Sequence, residues 1–544
     1  MASGGKRVDA PETLPRGAVL SRRVLVSGGA AFLAVYGLAL SPSLGLYHDD
    51  GIYAVTAEAL AEGHGYRLIS LPDEIPQTKY PILFPLGLSL IWRVAPSFPD
   101  NVLYLKLLPF AAVLAWLWVV DRFLAYQSER SGLARGVAVL TAVSPWVLFY
   151  ATTLFSETLF AVFAWGGLWM LTRCERETAT TSRLLWASSL CAAAFHTRTV
   201  GFTLIAAGIL VLAVKRKFRA AIVFGALSVA LALPWLLWTW NQAGVIPDLH
   251  AYYAGSSYWH WNVLFDFSIT EKLSIVSRNL IFLLVGPGQL MGFGATLWPL
   301  LALIGVLMVF GFVMSARQGF GVVHVFFALY VGTLLLWAWP PARFLLPVYP
   351  LLLLYASVGG LWILARVGDS RVTMAITSGA VAVVAFTTGF GSGTVALNAV
   401  TKERSCLAEP CQRRWSDYLS VMSWLDENTP PEAILMGARD PMLYLYTGRK
   451  TVRAFDQDPF LLFYADDRDR EPFGPPDRMA DRIRQSGADY LVLAHREESL
   501  TDAFLWRQVL ALRRARPGLL EPEMSVGSPD FAVYRIDREV LGLP

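Results

Sequence analysis

The sequence LYHDDGIYAVTAEALAEGHGYRL, Leu46 to Leu68, follows the first long apolar run of the chain. It places two adjacent carboxylates, Asp49 and Asp50, where that run is expected to leave a membrane. Ionisable groups at the ends of membrane spans are costly unless they serve a water-filled cavity or a ligand. The acidic pair therefore marks a candidate functional site.

The composition of the chain indicates a polytopic α-helical membrane protein. Of its 544 residues, 55% are hydrophobic and 16% charged, and the mean hydropathy is +0.46, whereas soluble domains contain about a quarter charged residues. Residues 392–544 carry 44 of the 88 charged side chains, which predicts a soluble C-terminal domain there. The net charge of +4 comes from basic loops of the membrane part, so it gives no support for a nucleic-acid partner.

About eleven membrane spans are predicted, each from a run of apolar residues long enough to cross or nearly cross a bilayer. They are Val24–Leu44, Val102–Phe123, Gly136–Ala151, Thr158–Leu171, Leu184–Phe195, Val200–Val214, Ala220–Trp240, Gly294–Met314, Phe320–Trp339, Phe344–Leu364 and Val372–Phe390. This gives a cytoplasmic N-terminal tail over 1–23, a transmembrane domain over 24–391, exterior loops over 46–101 and 241–293, and an exterior α/β domain over 392–544.

Basic clusters fix the predicted sidedness. They follow every second span, and the positive-inside rule places them in the cytoplasm, with the N-terminus. An odd number of spans then puts the C-terminal domain outside, which predicts a multi-pass protein of the bacterial cytoplasmic membrane. The short segment PILFPLGLSLIWRVAP, Pro81 to Pro96, is interpreted as an interfacial helix, with a twelfth span as the alternative.

Cys406 and Cys411 lie close together in SCLAEPC after the last predicted span. A small-loop disulfide in an oxidising compartment is one interpretation, and two unrelated surface cysteines are the other. Cys174 and Cys191 are expected to be free thiols.

Several polar residues fall on the predicted exterior side, although the topology was built from loop charges alone. They are Asp49, Asp50, Lys79, Tyr80, Glu157, His196, Arg198 and Arg343. A carboxylate at a cavity mouth can take the proton of an attacking hydroxyl, and Lys or Arg can neutralise a phosphate leaving group. The set therefore suggests transfer from a phosphate-activated donor, with Tyr80 and His196 as weaker substrate-binding candidates.

Each of these residues also has a purely structural interpretation. Asp50 could cap the following helix, and Glu157 could stabilise the N-terminus of its span. Arg343 and Lys79 could anchor their segments at the membrane interface. The structural alternative stands at its strongest for Asp50, His196 and Arg198.

Four segments, taken in order, carry a resemblance to a known family. DDGIYAVTAEALAEGHGY, KYPILFPLGLSLIW, LFSETLF and ARFLLPVYPLLLL, with long apolar spans between them, resemble the GT-C superfamily of membrane glycosyltransferases. The resemblance is to the protein-mannosyltransferase and aminoarabinose-transferase branch, glycosyltransferase families 39 and 83. The tail segment WLDENTPPEAILMGARDPMLYLYTGRKTVRAF also looks like the C-terminal domains of bacterial members.

This resemblance implies an inverting enzyme that moves a sugar from a polyprenyl-phosphate donor to a lipid, glycan or protein acceptor. It implies that Asp49 is the general base, with Asp50 beside it, and that Glu157 takes the place of a second acidic residue. Lys79 and Arg343 would bind the donor phosphate, with Arg198 near them. No cofactor is implied with certainty, and a divalent metal held by Asp49, Asp50 and Glu157 is left open because metal use varies among relatives.

After Ser416, short apolar strands alternate with helices, which predicts a small α/β domain with a partly parallel sheet.

Aromatic residues are frequent in HAYYAGSSYWHWNVLFDF, residues 250–267, and either cover an active site or pack at the interface. Two other functions are alternatives for the whole chain, a polyprenyl-linked glycan transporter or flippase and a non-catalytic assembly protein. Within the enzyme class, an oligosaccharide ligase is the alternative.

Overall fold

The computed structural model is mostly helical and has one small sheet. It describes residues 22–127, 131–254, 265–337, 339–366, 370–407, 413–456, 458–465, 474–494, 499–525 and 531–542. Residues 1–21 of the predicted N-terminal tail, 1–23, and residues 255–264 of the aromatic stretch lie outside them.

Fifteen helices are described before the soluble domain. They are α1 Arg22–Ala39, α2 Asp49–Glu62, α3 Leu83–Val94, α4 Val102–Gln127, α5 Ser131–Ala142, α6 Pro145–Ala151, α7 Glu157–Arg176, α8 Thr181–Thr197, α9 Phe202–Val214, α10 Phe218–Gln242, α11 Ile269–Leu290, α12 Trp298–Gln318, α13 Val322–Leu335, α14 Tyr349–Leu364 and α15 Ser370–Lys402. A 3-10 segment, Pro341–Val348, leads into α14.

Six of the described helical segments are long and apolar enough to cross a membrane by themselves, and α5 with α6, bent by 61°, makes a seventh. The other predicted spans fall on shorter or more polar helices. On α10 large apolar side chains face outward, with Ile222 71% and Trp240 82% exposed, as expected for a surface covered by lipid. The protein is therefore a polytopic helical membrane protein.

The predicted exterior loop 241–293 contains a long helix. Its second half forms α11, a 22-residue apolar helix of spanning length. The sequence concealed this helix because Arg278 and Asn279 and the Gly286–Gly288 segment interrupt its apolar run. The predicted sidedness depends on an odd count of eleven spans and stays a prediction.

The short helix α3 lies within the segment predicted to rest at the interface. Its 12 residues rise about 18 Å, which is short of a hydrocarbon core about 30 Å thick. The helix packs against α2, where Phe84, Leu88 and Trp92 are buried with Tyr53. This packing holds α2 beside the helix bundle.

The soluble domain follows α15. Its elements are α16 Trp415–Asn428, β1 Leu435–Gly437, α17 Asp440–Thr447, β2 Thr451–Arg453, α18 Pro459–Phe463, α19 Pro476–Ser486, β3 Tyr490–Leu493, α20 Leu500–Ala515, β4 Leu520–Ser525 and β5 Ala532–Ile536. The strands form one sheet in the order β2-β1-β3-β5-β4. β1 pairs parallel with β2 and β3, and β5 pairs antiparallel with β3 and β4. The predicted partly parallel sheet is present, while α17 and β4 were not predicted.

The soluble domain packs directly on the first loop. Gly45 (φ +88°) lies so close to α17 that an added Cβ would stand 2.6 Å from the Cβ of Met442, and a Cβ on Gly51 would stand 2.9 Å from that of Pro441. The Thr451 amide of β2 also donates to the Ser70 carbonyl at 2.8 Å. The parallel edge of the sheet is thus attached to the segment that carries the acidic pair.

Cys406 is disulfide-bonded, and Cys411, the partner predicted for it, lies outside the described residues. Cys174 and Cys191 are free and buried.

Candidate active site

A cavity of about 970 Å³ lies between the helix bundle and the soluble domain. One wall is apolar and is built from Tyr330, Leu334, Trp337, Trp339, Pro340 and Phe344. A polar wall is built from residues of the soluble domain, Arg439, Arg453, Asp456, Asp458, Arg478 and Asp502. The cavity is also lined by Asp49, Lys79, Tyr80, Arg198 and Arg343.

Asp49 begins α2 and faces the cavity. One of its oxygens accepts a hydrogen bond from the Tyr80 hydroxyl at 2.7 Å, and the other pairs with the Arg343 guanidinium at 2.8 Å. Burial tends to raise its pKa, but the charge of Arg343 and the hydrogen bond from Tyr80 outweigh burial and lower the pKa to about 2. The carboxylate is therefore ionised at neutral pH and able to accept a proton.

Glu157 pairs with Arg198 and with Arg343, the partner of Asp49. It is the first residue of α7, and its side chain is fully buried. One carboxylate oxygen lies 2.9 Å from Nη1 of Arg198 and 3.1 Å from Nε of Arg343. The guanidinium of Arg343 consequently stands between the carboxylates of Asp49 and Glu157.

Aromatic rings fix the planes of the two guanidinium groups. Arg343 lies 4.9 Å from the ring centre of Phe344 and 5.1 Å from that of Phe155, and Arg198 lies 5.2 Å from the Phe344 ring. Such cation–π contacts favour a charged group held against a ring face. Both arginines are therefore preorganised at the floor of the cavity.

Lys79 and Tyr80 lie in the first loop, just before α3, and line the cavity. The Lys79 ammonium donates to the Tyr252 carbonyl at 2.9 Å and lies 3.6 Å from the centre of the Tyr252 ring. Together with Asp49, Glu157, Arg198 and Arg343, it gives a group of five charges with a net charge of +1. This local excess of positive charge suits an anionic ligand.

Asp50 points away from the cavity, although it was predicted in the catalytic set. Its side chain is buried, and it accepts hydrogen bonds from the amides of Gly45 at 2.8 Å and Tyr47 at 3.0 Å. Burial raises the pKa of this carboxyl to about 6, against the lowering effect of these amides. Asp50 therefore shapes the turn before α2 and does not contact Asp49's partners.

His196 also lies apart from the cluster. Its Nε2 contacts the Leu231 carbonyl of α10 at 2.8 Å, and the residue is absent from the cavity wall. Its neighbour Arg198 does reach the site because the chain turns between α8 and α9.

Four residues of the site region were missed by the sequence analysis. His48 contacts the Tyr253 hydroxyl and the Asp440 carboxylate, each at 3.1 Å, and also Arg453. Tyr253 in turn donates to Asp440. The contact residues lie in three distant parts of the chain. The only local signal was the position of His48 directly before the acidic pair in YHDD, Tyr47 to Asp50.

The acidic residues do not form a metal site in this geometry. Arg343 separates Asp49 from Glu157, and Asp50 is bound to loop amides. In the described part of the chain, no group of three His, Cys, Asp or Glu side chains is arranged to hold a metal ion.

Comparisons with known proteins bear on the fold. No protein-family model matches the chain, and no curated protein matches it by sequence. Two solved structures of ArnT from Cupriavidus metallidurans do match in structure. The form bound to undecaprenyl phosphate has a TM-score of 0.56 and 12% identity over 96% of this chain and 99% of that chain. The apo form has a TM-score of 0.54 and 12% identity over 95% and 98%.

The Archaeoglobus fulgidus oligosaccharyltransferase, solved with Zn and sulfate, also matches. Its TM-score is 0.52 at 12% identity, over 96% of this chain and 74% of that chain. The chain therefore shares the fold of these three solved structures. This agrees with the resemblance drawn from the ordered sequence segments, and it covers the soluble domain as well as the bundle. In this fold, Asp49 is the first residue of α2.

Proposed function

We propose that the protein is an inverting glycosyltransferase that moves a sugar from a polyprenyl-phosphate donor to an acceptor at the exterior face of a bacterial cytoplasmic membrane. The observation that carries the proposal is the ionised Asp49 carboxylate held against Arg343 in a cavity with one apolar and one polar wall. The GT-C fold shared with ArnT, which was solved with undecaprenyl phosphate, supports the donor class.

The donor would lie along the apolar wall, with its phosphate at the cationic floor. Arg343 offers a planar fork of donors suited to two phosphate oxygens, whereas Lys79 offers a compact positive charge. Arg198 stands behind Arg343 and shares Glu157 with it. Glu157 would thus orient the two guanidinium groups toward the phosphate.

The reaction is a single displacement. The acceptor hydroxyl loses its proton to Asp49 while its oxygen attacks the anomeric carbon, and the bond from that carbon to the phosphate oxygen breaks. The electron pair leaves with the phosphate, where Arg343, Lys79 and Arg198 stabilise the charge. One base and a stabilised leaving group suffice, so no step requires a second nucleophilic carboxylate or a metal.

The direct test incubates the purified protein with a panel of radiolabelled polyprenyl-phosphate sugars and with lipid, glycan and peptide acceptors. We expect release of polyprenyl phosphate together with a labelled acceptor. Reconstitution in vesicles separates the transport alternative, because a flippase would deliver the intact donor to the opposite leaflet without breaking a bond. Movement of intact donor with no release would overturn the proposal.

A further inference from the structure

The residue before Asp49 has an unusual backbone. His48 has φ 64° and ψ −56°, and the Asp49 amide donates to the Tyr47 carbonyl at 2.7 Å. A hydrogen bond across two positions with these angles makes a γ-turn with positive φ, which is rare and strained for a residue with a side chain. Such strain persists only where the surroundings hold it.

The surroundings of His48 come from the soluble domain. Its Nε2 lies 3.1 Å from the Asp440 carboxylate and also contacts the Arg453 guanidinium. Asp440 is fully buried at the start of α17, and Arg453, 4% exposed, ends β2. The His48 side chain of the first loop is therefore held by two elements of the soluble domain, α17 and β2.

Tyr253 makes a further contact with both His48 and Asp440. The Tyr253 hydroxyl bonds to both His48 and Asp440, and its ring stacks on that of His48 with centres 5.8 Å apart. The charges of Asp440 and Arg453 lie 4.0 Å apart, so each buried charge has a partner besides the imidazole. Loss of either charge would leave the other buried with less compensation.

We propose that Asp440 and Arg453 are positioning residues that hold the turn at His48 and thereby set the position of the Asp49 carboxylate. The inference rests on the proposed function only for the role of Asp49 as the base. It makes the soluble domain a working part of the site, because that domain determines where the base stands relative to Arg343.

The test compares the full-length protein with three variants: Asp440→Asn, His48→Gly and the double variant. Glycine adopts positive φ without strain, so the turn in His48→Gly no longer depends on contacts with Asp440 and Arg453. Asp489→Asn is the matched control, because Asp489 is bound to Arg538 and to the Ile434 amide at the sheet, away from the cavity. Arg453→Lys repeats the test if Asp440→Asn melts too low for measurement.

Hydrogen exchange measured by mass spectrometry gives a readout that needs no substrate. Asp440→Asn is expected to speed exchange in the peptide that covers residues 44–53 and to leave the sheet peptides unchanged. Asp489→Asn should not change the 44–53 peptide. Unchanged exchange there in Asp440→Asn would overturn the inference, whatever reaction the protein catalyses.

Transfer kinetics give the second readout. A displaced base should lower kcat by about 10- to 100-fold, while the donor KM stays nearly constant because the phosphate-binding groups remain. In the His48→Gly background the same Asp440→Asn change should cost much less. An equal loss of kcat in both backgrounds would overturn the inference. If the unaltered protein shows no transfer, the proposed function fails and exchange alone decides the present inference.

Discussion

Asp49 and Arg343 form an ion pair of 2.8 Å although 294 positions separate them in the chain. The pair joins the first residue of α2 to the 3-10 segment before α14. In the proposed reaction the base and a phosphate-binding group therefore neutralise each other until the donor arrives. The donor phosphate would take over Arg343 and release the carboxylate for proton transfer.

This competition predicts two different acid limbs in the pH–rate profiles. In the free protein the pKa of Asp49 is about 2, so the base form is present above that pH and is lost as the pH falls through it. In the donor complex Arg343 is shared with phosphate, so the pKa of Asp49 rises. The profile of kcat/KM reports the free protein and that of kcat the complex. We expect the acid limb of kcat at the higher pH, and coincident limbs would contradict the competition.

Replacing Arg343 with lysine should weaken donor binding. A lysine keeps the charge but lacks the planar fork that contacts Asp49 and Glu157 at once. We expect the donor KM to rise by about 10-fold or more, in line with loss of a charge-assisted hydrogen bond of about 1.5–3 kcal/mol. Arg93→Lys, at an exposed arginine bonded to the Leu60 carbonyl, is the control. Equal KM values for both variants would remove Arg343 from the phosphate site.

Replacing Glu157 with glutamine should destabilise the fold. The change removes the buried charge that Arg198 and Arg343 share, so Arg343 keeps only Asp49, and breaking a buried ion pair costs about 3–5 kcal/mol. Glu177→Gln provides a comparison, because Glu177 pairs with Arg183 at a solvent-exposed site, where an ion pair contributes little to stability. Thermal melting in detergent should show a large drop for Glu157→Gln alone. Similar melting of both variants would mean that Glu157 is not the charge that holds the two arginines.

Replacing Asp50 with alanine should separate fold from chemistry. The variant loses the acceptor for the amides of Gly45 and Tyr47, and each unsatisfied buried amide costs about 1–3 kcal/mol. We therefore expect a lower melting temperature than in Asp49→Asn but a higher residual transfer rate. A variant as inactive as Asp49→Asn and as stable as the unaltered protein would place Asp50 in the reaction itself.

The sequence allowed much of the fold to be predicted because long apolar runs and polar loops leave strong signals. The residues gathered at the cavity, Asp49, Lys79, Tyr80, Arg198 and Arg343, were all among the candidates, since charged groups near spans are few. The helix α11 was missed because polar residues and a Gly-Pro-Gly segment interrupt its apolar pattern.

Contacts between distant segments were beyond sequence reasoning. Asp440 lies 392 positions from His48, and nothing in its local sequence distinguishes it from the surface acids of the soluble domain. The direction of a side chain was equally hidden. Asp49 and Asp50 are neighbours, yet the start of α2 turns one toward the cavity and the other into the preceding loop.

The role of Asp49 as the general base is tested by the release of polyprenyl phosphate and labelled acceptor product from a labelled donor, with the unaltered protein and Asp49→Asn compared side by side. Asp100→Asn, at an exposed position of the same loop, is the control. We expect transfer by the unaltered protein and the control, and a fall of about 10²- to 10⁴-fold in Asp49→Asn, the range for loss of a general base. Transfer at an undiminished rate by Asp49→Asn would contradict this role.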